Sequence, residues 1–277
     1  MSDRLRKYAC VMASTRAEQL LAILRDSHDP HEKRDWASNE LLNEVFRGYP
    51  FDLLVPILHG DDPRMVESIA WILSELGSGR ASSIVPGPDY PGTAAYMGEV
   101  DWLLGYPARQ VRTHAIGSVL SAASAADGTT IAKALRQSTD PERPIRYFVL
   151  RLLAYGGDDQ LGAGLANLEQ GPVREQLEWL LTQGGDPAHT PEVVRRLDEG
   201  AELEAMFALA AAVRVGRYDL APIEHAAHSS NEDVARFASL AIKTLAFLAK
   251  RRERGMLSRD LMWHGELPRV DAPRSES

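Results

Sequence analysis

One cysteine, Cys10, occurs in 277 residues, so no internal disulfide can form and the expectation is a reducing compartment, the cytoplasm. No apolar run reaches the roughly 18 residues that a membrane-crossing helix needs. The first residues, MSDRLRKYACVMASTRAEQ, hold only the short apolar stretch YACVMA, too brief for a secretory leader. Positive charge is in deficit: a formal net charge of -8 disfavours nucleic acid and anionic membranes as partners. Lysine is scarce, five residues against 26 arginines, a bias we read as that of a GC-rich bacterial genome. No strand-like alternation runs through the chain, and no P-loop, dinucleotide glycine pattern or nucleophile elbow is present.

What the chain does have is 44% hydrophobic residues, enough for a sizeable core, arranged three and four apart over most of its length. TRAEQLLAILRDS, RDWASNELLNEVFRG, PRMVESIAWILSELG, ARQVRTHAIGSVLSAA, PIRYFVLRLLAYGG, GPVREQLEWLLTQGG, AELEAMFALAAAVRVG and NEDVARFASLAIKTLAFLAK all read as amphipathic helices. DDP (Asp61 to Pro63), TDP (Thr139 to Pro141) and GP (Gly171, Pro172) mark helix starts. Gly48, Gly77, Gly156 and Gly184 suit the left-handed turn that closes a helix.

These segments superpose. Anchored on Ala37, Val66, Val111, Ile145, Val173, Leu203 and Val234, they are spaced by 29, 45, 34, 28, 30 and 31 residues. Four residues past each anchor stand Leu41, Ala70, Ala115, Val149, Leu177, Phe207 and Ala238, all apolar. Between anchors there is room for one more helix: FDLLVPILHG, EVDWLLGY, TTIAKALRQ, DQLGAGLANL, TPEVVRRLDEG and YDLAPIEHAAH. Each unit is therefore a helical hairpin of about thirty residues, and stacked hairpins bury a stripe that one hairpin alone leaves exposed.

The longest interval contains GRASSIVPGPDYPGTAAYMGE, Gly79 to Glu99, which reads as an inserted loop of the kind that tolerates indels and also touches partners. Tyr90 and Tyr96 within it are candidate anchors for a partner. The expected organisation is a flexible N-terminus over 1–13, a repeat domain over 14–250 with its insertion at 79–99, and a capping segment with a disordered tail over 251–277.

LLVPILHGDDPRMVESIAWILSELGSG and AKALRQSTDPERPIRYFVLRLLAYGG resemble HEAT repeats, in which two helices flank a turn with Asp and Pro, followed by an aliphatic-basic pair. Val111-Arg112, Ile145-Arg146 and Val173-Arg174 match that pair; Val66-Glu67, Leu203-Glu204 and Val234-Ala235 depart from it. The resemblance covers roughly Ala37 to Lys250. It implies an all-α, right-handed α-solenoid of about seven hairpins and, in most such proteins, a non-catalytic scaffold or adaptor without a cofactor that binds another protein. Toxin-neutralising immunity proteins are one specific role of this kind.

Exposed positions of the second helices carry Arg64, Arg109, Arg112, Arg143, Arg146 and Arg174, a basic stripe fitted to an acidic patch on a protein partner. The competing reading of Arg112, Arg146 and Arg174 is an internal ladder with turn aspartates of neighbouring hairpins. A metal-dependent enzyme or lyase would draw on His225, His228 and Glu224, yet two ligands and a neighbour do not make a site. HEAT-like di-iron hydroxylases carry recurring His-Glu pairs, and only His31-Glu32 has that order here. HEAT-like DNA glycosylases would require a basic groove with aromatics; Trp71 and Trp179 stand in apolar runs where burial is the ordinary expectation. Cys10 reads as a passive thiol.

Overall fold

The computed structural model describes residues 15–26, 31–76, 93–122, 126–216 and 219–253; among them every regular element is helical and none is a strand. The helices are α1 (15–25), α2 (His31–Phe46), α3 (Val55–Leu58), α4 (Pro63–Leu76), α5 (Met97–Leu103), α6 (Arg109–Ser121) and α7 (Gly128–Arg136). They continue as α8 (Arg143–Tyr155), α9 (Asp158–Asn167), α10 (Pro172–Trp179), α11 (Thr190–Glu199), α12 (Glu202–Val215), α13 (Ala221–Ala227) and α14 (Glu232–Glu253). The chain is all-α, as its apolar periodicity predicts. Cys10 and Tyr90 lie outside the described residues, as do the boundary at residue 13 and the tail beyond Glu253; α14 runs three residues past the expected limit of the repeat domain at 250.

Two compact units divide the chain, Met1–Leu152 with Gly156–Glu169, and Leu153–Tyr155 with Gln170–Ser277. In the first, α2 packs on α4 and α4 on α6, while α3 packs on α5, α5 on α7 and α7 on α9. Helix α6 lies between α4 and α8: a Cβ built on Gly117 would meet Ser74 at 4.0 Å and Phe148 at 3.9 Å. In the second unit α10 packs on α12 and α12 on α14, and α11 packs on α13. Second helices thus stack on second helices and first on first, two layers within each unit.

The register read from sequence is also the register of burial. Leu41, Ala70, Ala115, Val149, Leu177, Phe207 and Ala238, each four residues past its anchor, are all within 1% of complete burial. The anchors Ala37, Val66, Val111 and Ile145 are fully buried, whereas Val173, Leu203 and Val234 are only partly covered.

Helix ends follow the turn chemistry in part. Asp62 Oδ1 accepts from the backbone N–H groups of Arg64 and Met65 and caps α4; Asp127 Oδ1 accepts from Thr130 N–H and caps α7. Gly48 closes α2 with φ +107°, the left-handed conformation that glycine adopts most readily. Gly156 departs from the expectation, being extended at φ -64°, ψ 146°. Gly184 departs for a different reason: it ends a π-helical turn (Leu180–Gly184) that prolongs α10, where a Cβ would stand 3.1 Å from both Ala211 and the Trp179 ring. Its requirement is close approach, not backbone handedness.

Of the expected insertion, residues 79–92 lie outside the described residues, and the remainder belongs to the packed body. Thr93–Tyr96 form a 3₁₀ turn leading into α5, and the buried Thr93 hydroxyl donates to the Leu73 carbonyl.

Candidate functional site

The turns between first and second helices of each hairpin form one edge of the first unit. The end of α3 brings His59, Asp61 and Asp62 to it and the start of α4 brings Arg64. Trp102 and Tyr106 come from the end of α5, Arg109 and Arg112 from the start of α6. Asp140 and Glu142 precede Arg143 and Arg146 at the start of α8.

The arginines of the predicted stripe divide into two groups here. Arg112 and Arg146, both fourth in their helices, fold back over the turn. Arg112 Nη1 donates to the carbonyls of Tyr106 and Pro107 at 3.0 and 2.8 Å; Arg146 Nη1 donates to those of Asp140 and Pro141 at 2.7 and 3.0 Å. The acceptors stand six and five residues before the arginine in both cases, so this is one clasp used twice. Arg112 Nη2 also meets Asp140 Oδ2 at 3.1 Å across to the next hairpin, with 15% and 11% of the two side chains exposed. For Arg112 the ladder with a neighbouring turn aspartate is therefore present.

The second group faces outward. Arg64, Arg109 and Arg143 occupy the first or second position of α4, α6 and α8, and all three are exposed. A cation at that end opposes the helix dipole, at about 0.3–1 kcal/mol per site. Arg64 makes no ion pair among the described residues, and Arg109 lies 3.4 Å from Glu142 with 46% and 48% of these side chains exposed. Glu67, one turn into α4, is held above the usual carboxylate range by burial; Arg34 and His31 pull it down, Asp35 pushes it up and Arg109 pulls it down. The edge is therefore charge-interleaved, not uniformly basic. Arg174, in the second unit, lies 2.9 Å from Glu178 along its own helix.

Tyr96 does not stand at a rim. It is 9% exposed, its ring lies 4.6 Å from that of Phe51, and its hydroxyl donates to Asp52 Oδ1 at 2.8 Å. Burial, that hydrogen bond and the Asp52 charge push its pKa up to about 12. Its contact area is used within the fold.

Sequence reasoning missed the aromatic residues of the same edge. The His59 and Trp102 rings pack with centroids 4.5 Å apart and planes tilted by 47°, and Tyr106 meets Trp102 edge-on at 5.4 Å. His59 Nε2 is 2.6 Å from Glu99 Oε2. Trp102 remains 39% exposed. On the other flank Lys133 Nζ donates to both the carbonyl and a carboxylate oxygen of Asp101. The spacing of Trp102 and Tyr106, four apart at a helix end, was the available signal; the pairing with His59 depends on how α3 and α5 stack.

The residues of the alternative readings are engaged elsewhere. His225 Nε2 lies 2.9 Å from Asp198, whereas His228 Nδ1 lies 2.7 Å from the Glu224 carbonyl. Among the described residues no group of three His, Cys, Asp or Glu is placed to hold a metal ion. Trp179 is 7% exposed beneath the Arg196 guanidinium, 4.1 Å from its ring centroid, and Arg196 is itself tied to Glu192, Gln176 and Glu204. No described helix is long and apolar enough to cross a membrane. No protein-family model matches the chain, and no curated protein matches it.

Proposed function

We propose that this chain is a non-catalytic protein-binding module, a HEAT-like α-solenoid that grips a partner along the turn edge of its first unit. The observation that carries the reading is the coincidence, on that edge, of a preassembled, part-exposed aromatic group (His59, Trp102, Tyr106) with outward arginines at Arg64, Arg109 and Arg143. Trp, Tyr and Arg are the residue types that dominate binding energy at protein interfaces. The two-layer stacking of hairpins within each unit, the periodic burial and the repeated arginine clasp support the solenoid reading.

The mechanism is steric and electrostatic. Three arginines held at helix starts meet carboxylates of an acidic patch on the partner, where the helix N-termini add favourable potential. The aromatic group supplies the desolvated anchor beside them. General adaptor and toxin-neutralising immunity roles are both forms of this activity, and a cytoplasmic location accords with either.

The test is affinity capture from the source cells with the tagged chain, its Arg64→Glu/Arg109→Glu form and its Trp102→Ala form. A protein retained at stoichiometric level by the first and lost from both variants, with helicity unchanged, is the expected result. Retention of nothing, or of the same protein by all three, would overturn the proposal.

A further inference from the structure

We propose that Gly98, Glu99 and Trp102 on α5, walled by His59, form a receptor for one guanidinium group, an arginine side chain of the bound protein. This rests on the reading of the turn edge as the binding surface and adds a second, oppositely charged requirement on the partner.

In a helix, a side chain leans toward the residues three and four positions earlier. For Trp102 these are Glu99 and Gly98. Gly98 is exposed, and a Cβ built there meets nothing within 4 Å, so the helix surface one turn before Trp102 is open. The ring itself is fixed, since His59 holds one side at 4.5 Å and Tyr106 abuts it at 5.4 Å. An exposed tryptophan whose position is already set needs little ordering on binding.

The chemistry of this slot selects a cation. Glu99 places Oε2 on His59 at 2.6 Å, and Oε1 accepts from no described residue. The indole face and the carboxylate both attract positive charge. The nearby cation, Lys133, is already held by Asp101. A planar, weakly hydrated guanidinium lies flat on the ring while donating to the carboxylate, which a compact, strongly hydrated ammonium does less well. An apolar or anionic occupant would instead desolvate Glu99 without pairing it.

The experiment follows the tryptophan indole N–H signals in a proton–nitrogen correlation spectrum, with the Trp102 signal assigned through Trp102→Phe. The probes are N-acetyl-arginine amide, the lysine analogue and the uncharged citrulline analogue at matched ionic strength. We expect the Trp102 signal to shift saturably with arginine, with citrulline about tenfold weaker and lysine intermediate. Glu99→Gln and Gly98→Leu should each weaken the arginine response about fivefold or more. Gly98→Leu fills the slot while raising helix propensity, so its loss of binding is separable from loss of fold. No shift, an equal shift with citrulline, or an undiminished response in both variants would overturn the proposal. So would a homodimer that already covers Trp102, seen by sedimentation and abolished in Trp102→Ala. A captured protein that Glu99→Gln still retains in full would sink this inference and leave the binding module standing. A saturable arginine response without any captured protein would do the reverse.

Discussion

Arg109 and Arg112 stand three residues apart and belong to different energetic classes. The Arg112 guanidinium is largely buried, with two carbonyls and a carboxylate as acceptors; removing it takes the side-chain donor from both carbonyls and leaves the Asp140 carboxylate only the Glu142 N–H. Arg112→Ala should lower unfolding free energy by about 2–4 kcal/mol, and Arg112→Lys should recover little, because one ammonium cannot reproduce the fork. Arg109→Ala, which breaks only a half-exposed pair, should stay within about 0.5 kcal/mol of the parent. Urea midpoints of the three variants check this, and equal losses at 109 and 112 would contradict it. Both arginines satisfy the same sequence pattern of exposed positions on a second helix. The decision between ladder and binding face turns on where the turn carbonyls point, which the one-dimensional pattern does not contain.

At the scale of the elements, closeness of packing is set by glycines that the helical pattern did not single out. Helix α9 approaches α7 through Gly164, where a Cβ would fall 2.6 Å from Ile131 and 2.9 Å from Leu135. Gly128, opening α7, would collide with Asn167 and, at 2.5 Å, with the Ala163 carbonyl. Gly164→Ala should therefore destabilise by about 1–3 kcal/mol, despite alanine's better helix propensity. A rise in thermal midpoint for that variant would show that α7 and α9 part without penalty. The helices themselves were legible, since apolar spacing marks which face is buried, and the seven fully buried positions follow from it. The 3₁₀ turn at Thr93–Tyr96 was not legible, because GTAAY carries turn residues and owes its place to contacts with Phe51, Asp52 and Leu73. For the same reason Tyr96 looked like a loop residue. The His59–Trp102 contact was equally hidden, joining positions 43 residues apart that meet only when the hairpins stack.

For the molecule as a whole, acid is the informative perturbation. Desolvation of the partly covered His114 ring on α6 lowers its pKa from 6.5 to about 4. Between those values the unfolded chain binds a proton that the folded chain refuses, so stability falls as pH drops through that window. Glu67 acts in the opposite sense. Its raised pKa means that the folded chain takes up a proton before the unfolded one does, which offsets part of the loss. His114→Gln should flatten the decline between pH 6.5 and 4, read from urea midpoints across that range. An unchanged slope would assign acid sensitivity to other groups. An overall charge of -8 thus tells little about the local balance: acidic and basic groups alternate along the turn edge.

The arginine clasp has a consequence for the making of new proteins from this one. Each clasp draws its donor and both of its acceptors from a single run of seven residues, Tyr106 to Arg112 or Asp140 to Arg146. Such a run is a portable corner: transplanted between two helices of another all-α protein, it brings with it the hydrogen bonds that shape the bend. Length and surface of the flanking helices then become free variables for an engineer.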